Sequence, residues 1–133
     1  MARRTSRTLT ELELEIMQVV WEQGEVTVEG LIEAFGKAGR PLAPPSFRTM
    51  LGILQDKGYV TRRRTGIGRT YAYRAVVSAD QAQKRILKDI VARAFDGSAL
   101  SLVAALVNTG LVSPRELEKI RRLIRRRERE GGK

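Results

Sequence analysis

The sequence predicts a mostly α fold with one small β ribbon. Two observations lead to this prediction. Apolar residues recur at helical spacing in six segments of the 133-residue chain, whereas residues 59–74 alternate in character around a glycine-containing turn. Three helices followed directly by a hairpin is the element order of a winged helix-turn-helix. We therefore predict a winged-helix domain at residues 1–77, with a basic N-terminal arm, and a helical domain at residues 78–133.

The first helix begins with a recognisable capping signal. Thr10 and Glu13 have the spacing of a capping box, in which each residue binds the backbone N–H of the other. Leu9 and Leu14 flank the box as a hydrophobic staple. Gly24 is expected to end the helix in a left-handed conformation.

The second and third helices have equally clear boundaries. Thr27 is the expected N-cap of a helix that runs to about Phe35. The pair Pro44–Pro45 predicts the start of a third helix, because proline suits the first helical turn. That helix is expected to stop at Gly58. Its apolar face consists of Phe47, Met50, Leu51 and Leu54.

The third helix is the expected recognition helix of a DNA-binding domain. Binding in the major groove needs a helix whose exposed side carries hydrogen-bonding side chains. The side opposite the apolar face carries Pro45, Ser46, Arg48, Thr49 and Gly52. Arg48 can pair with guanine through two hydrogen bonds, although a solvated surface arginine would fit the same pattern. Gly52 either lets the helix approach DNA closely or is a tolerated weak position in a helix.

The ribbon is the second expected DNA-binding element. Residues 59–64 and 69–74 are predicted as its strands, with residues 65–68 as the turn. Four arginines are expected to gather around the tip, while Arg63 alternates to the other face; the four are Arg62, Arg64, Arg69 and Arg74. Arginine is favoured in a narrow minor groove by the negative potential there. The alternative interpretation is a solvated run of charge.

The residues after Ser78 are predicted to form a dimerisation domain. We expect a fourth helix to about Phe95, a fifth over 99–107 and a sixth after Pro114. A short tail cannot bury its own apolar stripes, so pairing with a second copy is predicted, with folding back onto the first domain as the alternative. The predicted dimer contacts are Ile86, Ile90, Val91, Leu117, Ile120, Leu123 and Ile124.

The composition favours a polyanionic partner and argues against an enzyme. The formal net charge is +10, and lysine and arginine release counterions condensed on nucleic acid. The chain has no cysteine and no histidine, which removes thiolate metal ligands and the commonest general base. We therefore expect no catalytic residues, no metal and no cofactor. No apolar run approaches the ~20 residues that cross a bilayer, so a cytoplasmic protein without a membrane partner is expected.

Several short motifs follow one another along the chain in a characteristic order. They are Leu9-Thr10-Glu11, Ile16-Met17-x-x-Val20-Trp21, Lys57-Gly58-Tyr59-Val60, Gly68-Arg69-x-Tyr71-x-Tyr73, Phe95-Asp96-Gly97-Ser98 and Ser113-Pro114-x-Glu116-Leu117. Over residues 8–125 their order and spacing resemble the BlaI/MecI/CopY (penicillinase repressor) family. The resemblance implies a winged-helix homodimer that binds a palindromic operator in double-stranded DNA and represses transcription. The alternative function is non-sequence-specific binding of nucleic acid, as an RNA-associated or architectural protein.

Two departures from the family concern how repression is relieved. The copper-responsive branch carries a C-terminal cysteine motif for metal, and this chain has no cysteine. The β-lactam branch is inactivated by proteolysis at an Asn-Phe bond in the dimer domain. The matching positions here are Ala105 and Leu106, which form the candidate proteolytic switch but differ from the cleaved pair. A sensor protease, if one acts, is unknown.

Overall fold

The helices and strands follow the predicted order with one addition. The computed structural model of the protein describes residues 8–66, 68 and 70–131. Its elements are α1 Glu11–Gln23, β1 Glu25–Val26, α2 Val28–Lys37, α3 Pro44–Asp56, β2 Val60–Arg64, β3 Tyr71–Ala75, α4 Ala79–Ala94, α5 Ala99–Asn108 and α6 Pro114–Gly131. The prediction of a mostly α fold with a small β component is confirmed.

The chain divides into two compact units, Met1–Asp89 and Ile90–Lys133. This division lies inside α4, so the helix begins in the first unit and ends in the second. The sequence-based boundary between residues 77 and 78 lies at the start of the same helix and stays a prediction.

Helix α1 begins and ends as its capping residues predict. The Glu13 N–H donates to Thr10 Oγ1 at 3.2 Å, and the Thr10 N–H donates to Glu13 Oε1 at 2.9 Å. Two N–H groups that the first helical turn leaves without partners are thereby satisfied. Gly24 ends the helix with a φ of 85°, a conformation in which glycine has no steric penalty.

Helix α3 begins on its two prolines alone. Ala43 precedes them and makes no side-chain capping bond, so the fixed φ of Pro44 and Pro45 starts the helix without a polar cap. At the other end Gly58 has a φ of 83°, and the Tyr59 N–H donates to Leu54 O at 2.9 Å. This reversal leads the chain directly from α3 into β2.

The sheet has three strands where the sequence predicts two. Its order is β1-β3-β2, and both pairs are antiparallel. The added strand β1 contains only Glu25 and Val26, which pair with Arg74 and Tyr73 of β3. Two residues are too few to show an alternating pattern, so this strand is visible only through its partner.

The first unit has one hydrophobic core, aliphatic and aromatic, between its helices and the sheet. The largest fully buried side chains are Ile16, Met17, Val20, Leu31, Phe47, Leu51, Leu54 and Tyr59. Phe35 meets Phe47 edge-to-face with ring centroids 5.0 Å apart. Ala82 of α4 is also buried in this core, and the Trp21 indole N–H donates to Val77 O at 2.8 Å. The beginning of α4 is therefore part of the packed core of the first unit.

The second unit leaves apolar side chains in solvent. Helices α5 and α6, described over their full length, contain no buried residue. Leu100 is 78% exposed, Leu123 58% and Ile124 53%. Helix α6 nevertheless has a full capping box between Ser113 and Glu116. Its apolar face is thus formed on a regular helix but has little of this chain to cover it.

No single helix in the described ranges is both long and apolar enough to cross a membrane. Helices α4 and α5 reach that length and composition only when taken together, and they are bent at the break between them.

A buried ion pair joins the end of α3 to the beginning of α1. The Lys57 Nζ lies 2.7 Å from Glu13 Oε1, and the two side chains are 7% and 4% exposed. The same ammonium group donates to Thr8 O at 3.1 Å. Because each charge has lost nearly all of its water, removing one partner leaves the other without compensation.

We expect Lys57→Met to lower the free energy of unfolding by about 3 kcal/mol, since it leaves the Glu13 carboxylate buried and unpaired. Adding Glu13→Gln should recover part of the loss, because the amide oxygen can still accept from the Thr10 N–H. The control is Arg40→Met, which breaks an exposed ion pair with Glu15 and should cost less than about 1 kcal/mol. Urea unfolding at one protein concentration measures the free energy of unfolding of all three variants. Equal losses in Lys57→Met and Arg40→Met would show that burial does not make the Lys57–Glu13 pair special.

Candidate nucleic-acid interface

The predicted recognition residues share one exposed face of α3. Phe47, Leu51 and Leu54 are fully buried on the opposite side. Burial of this apolar face therefore fixes which side of the helix meets solvent. The exposed residues are Pro45, Ser46, Arg48, Thr49 and Gly52.

Gly52 has no packing reason to be glycine. A Cβ built at this position meets no heavy atom within 4 Å, and the backbone is ordinary helix. Glycine inside a helix costs about 1 kcal/mol relative to alanine. The fold therefore gains nothing from Gly52, and both interpretations of this position, a close approach to DNA and a tolerated weak position, stay predictions.

The arginines of β2 lie on different faces of the ribbon formed by β2 and β3. Arg62 and Arg64 share the face of Tyr71, with their guanidinium carbons 4.0 and 6.0 Å from its ring centroid. A hydrogen bond with Arg64 lowers the pKa of the Tyr71 phenol, and the charges of Arg62 and Arg64 lower it further. Arg69 lies outside the described residues, so its predicted role stays a prediction.

Arg63 is held on the other face by a carboxylate. Its Nε and Nη2 donate to the two carboxylate oxygens of Glu25, both at 2.8 Å. The hydrogen bond from Arg63 lowers the pKa of Glu25, and the charges of Arg63 and Arg74 add to that effect. The predicted alternation of Arg63 is confirmed.

The grouping of Arg74 with Arg62 and Arg64 is wrong. Directly opposed residues of antiparallel strands point to the same face. Arg74 opposes Thr61 on β2 and Glu25 on β1, so it shares the face of Arg63. Alternation within β2 was predicted correctly, whereas positions 69 and 74 of the second predicted strand are five residues apart and alternate to opposite faces. The register between β2 and β3 then decides that Arg74 shares the face of Arg63.

A groove of about 580 Å³ separates α3 from the ribbon. We call it the α3–ribbon groove. It brings together Arg48 and Gly52 of α3 with Arg62 of β2, three residues that the sequence predicts as DNA contacts. Its lining residues are Val28, Glu29, Ile32, Pro44, Arg48, Gly52, Gln55, Arg62, Thr70, Tyr71 and Tyr73.

Tyr71 is the residue of this groove that sequence reasoning missed as a site residue. The sequence shows Tyr71 only as an alternating residue of the second strand, and its position directly opposite Arg64 follows from the register of β2 and β3. An aromatic ring between two arginines on one sheet face is a ready partner for stacking.

These features define the structural class of the protein. Three helices with a three-stranded sheet, a polar face on the third helix and arginines on the hairpin make a winged helix-turn-helix. The sequence matches the penicillinase repressor family over residues 9–126, and the chain belongs to that family. The assignment that follows is a DNA-binding repressor, and the relatives called MecI carry the name of a regulatory protein.

Individual relatives are distant but cover most of the chain. The methicillin resistance regulatory protein MecI of Mammaliicoccus sciuri is 22% identical over 119 residues, which is 90% of this chain and 94% of the relative. MecI of Staphylococcus aureus strain N315 is 21% identical over the same shares. An uncharacterised 16.5 kDa protein of Latilactobacillus sakei, from the ptsI 3' region, is 24% identical over 93% of this chain and 82% of its own.

Solved structures are also similar to this chain, and one of them has a name that states its function. It is the solution structure of the DNA-binding domain of the repressor BlaI, at 22% identity and a TM-score of 0.48. The match covers 60% of this chain and 93% of that domain.

We expect Gly52→Ala to have opposite effects on folding and binding. The free energy of unfolding should rise by about 1 kcal/mol, because alanine fits the open space in a helical backbone. Affinity for duplex DNA should fall, because the added methyl group keeps α3 from a close approach. The matched control is Gly36→Ala in α2, where a Cβ also meets nothing and which does not line the groove. Should Gly52→Ala bind DNA as well as the parent, Gly52 is only a tolerated weak position.

Proposed function

We propose that the protein is a sequence-specific transcriptional repressor that acts as a homodimer on a palindromic operator. The observation that carries the proposal is the α3–ribbon groove, which gathers Arg48, Gly52 and Arg62 on one surface. Occupation of an operator that overlaps a promoter blocks transcription without catalysis. The protein would act where its DNA lies, in the cytoplasm.

Each element has a distinct part in this proposal. Arg48 pairs with guanine in the major groove, and Ser46 and Thr49 contact base edges or phosphate. The ribbon arginines Arg62, Arg64 and Arg69 neutralise phosphates or enter a narrow minor groove. Contacts to bases give the sequence preference, and contacts to phosphates fix the position of the protein on the duplex.

The homodimer is proposed from the apolar side chains of α4, α5 and α6 that the single chain leaves exposed. Helix α5 carries no charged side chain, and its Val103, Leu106 and Val107 are all exposed. A second copy is the commonest partner for such a surface, and its two-fold symmetry matches a palindrome. The proposed contacts are the predicted ones, Ile86, Ile90, Val91, Leu117, Ile120, Leu123 and Ile124.

Release by proteolysis at Ala105–Leu106 stays a prediction. The bond lies inside α5, and Ala105 O accepts from both the N–H and the Oγ1 of Thr109. A protease binds its substrate in extended form, so α5 would have to open locally before cleavage.

Non-specific nucleic-acid binding is the competing function, and Arg48 separates the two. We expect Arg48→Ala to weaken binding to the operator by about 1–3 kcal/mol and to leave binding to a scrambled duplex almost unchanged, because a base contact is lost. The operator is first located by footprinting upstream of the protein's own gene. Fluorescence anisotropy at one salt concentration then gives both affinities.

The matched control for Arg48→Ala is Arg40→Ala, which removes the same charge from a residue paired with Glu15 outside the groove. Equal weakening on both duplexes by Arg48→Ala would support the non-specific alternative.

We expect Leu123→Asp to give a monomer that binds the operator about 10²- to 10⁴-fold more weakly, because the two half-sites are no longer linked. Leu123 is 58% exposed in the single chain, so its replacement should leave the melting of the first unit unchanged. Leu123→Met keeps the apolar contact and serves as the control. Sedimentation measures the mass of each variant, and a parent protein that stays monomeric at micromolar concentration would refute the dimer.

A further inference from the structure

The α3–ribbon groove has cationic walls and an aromatic side. Arg48 stands on α3 and Arg62 on β2, while Tyr71 and Tyr73 lie beside them on β3. Glu29 is the one acidic residue among those that line the groove. The walls thus suit a polyanion, and the proposed function supplies one in duplex DNA.

Arg62 is pre-positioned in this groove by stacking. Its guanidinium carbon lies 4.0 Å from the centroid of the Tyr71 ring, which is closer than the 6.0 Å of Arg64. A guanidinium that stacks through its face keeps the N–H donors along its edge available for an anion. Stacking also restricts a long side chain, so less rotamer entropy is lost when the anion binds.

The neighbouring arginine provides the contrast. Arg63 gives two N–H donors to Glu25, so its charge is already neutralised. Within the described ranges 8–66 and 70–131, Arg62 makes no ion pair with a carboxylate. The neutral ring of Tyr71 holds it instead. The two adjacent arginines of β2 therefore differ: Arg63 is already bound to a carboxylate, whereas Arg62 is ordered and its N–H donors are available for an anion.

The geometry of B-DNA identifies what enters the groove. One sugar–phosphate strand lies between each major groove and the adjacent minor groove. With α3 in the major groove and the ribbon tip at the minor groove, that strand must pass between them. The α3–ribbon groove is the space between these two elements.

We propose that the α3–ribbon groove seats one sugar–phosphate strand and that Tyr71 is a positioning residue which holds Arg62 against a phosphate of that strand. This inference rests on the proposed function and deepens it. Tyr71 itself need not touch DNA, since its ring acts through Arg62.

The test uses the full-length protein, an operator duplex and a scrambled duplex, with affinity measured over a range of salt. Arg62→Gln should weaken binding to both duplexes by about 3- to 10-fold and reduce the log–log salt slope by about 0.9, the value for one phosphate. Tyr71→Leu should cause the same loss, and combining the two substitutions should add little. Tyr71→Phe keeps the ring and should stay within about twofold of the parent.

The matched control is Arg63→Gln, which removes the same charge one residue away and should leave the salt slope unchanged. Tyr71 packs against the core, so melting temperatures are compared first. If Tyr71→Leu does not fold, Arg62→Lys replaces it in the test, because lysine keeps the charge but lacks the planar face that stacks.

Three results would overturn the inference. The first is an unchanged salt slope in the folded Tyr71→Leu variant; if Arg62→Lys replaces that variant, the contradicting result is an unchanged affinity for both duplexes, because lysine keeps the charge that sets the slope. The second is an equal loss in Arg62→Gln and Arg63→Gln. The third is saturable binding of pyrophosphate alone that Arg62→Gln abolishes while the duplex slope stays the same, which would mark a site for a free anion. In each case the parent protein can still prefer its operator, so failure of this inference is distinguishable from failure of the proposed function.

Discussion

The arrangement of the first unit depends on the buried ion pair between Lys57 and Glu13. Glu13 belongs to the first turn of α1, where it also closes the capping box, and Lys57 caps the end of α3. One carboxylate therefore ties the beginning of one helix to the end of another. A positive charge at the C-terminus of α3 also complements the helix dipole. The pair fixes α3 at its far end, which leaves the proline end with its exposed polar side chains to be oriented by core packing alone.

The fixed position of α3 also determines one wall of the α3–ribbon groove. Phe47, Leu51 and Leu54 hold one face of α3 in the core, and the opposite face forms one wall of the α3–ribbon groove. The other wall belongs to β2 and β3, and Tyr73 of β3 is buried in the same core. Both walls are thus parts of one packed unit. A surface of this kind needs little reorganisation on binding, which lowers the entropic cost of recognition.

Much of the fold could be predicted from the sequence because its signals are local. Four helix starts are each predicted by residues within one turn of the chain, and the structure has each start where it is expected. The residues are Thr10 with Glu13, Thr27, the Pro44–Pro45 pair, and Ser113 with Glu116. What could not be predicted depends on pairing between distant segments. Strand β1 exists through its partner β3, and the face of Arg74 follows from a register that no single strand reveals. Tyr71 was missed for the same reason, since its relation to Arg62 is a contact across two strands.

The bond between Trp21 and Val77 has a practical consequence. The chain contains one tryptophan, and its indole N–H donates at 2.8 Å to the carbonyl of the residue just ahead of Ser78, the N-cap of α4. Indole emission responds to hydrogen bonding and to the polarity around the ring. Tryptophan emission from this protein therefore comes from one known place, the junction between β3 and α4. Any event that strains that junction can be followed optically in the unlabelled, unmodified molecule.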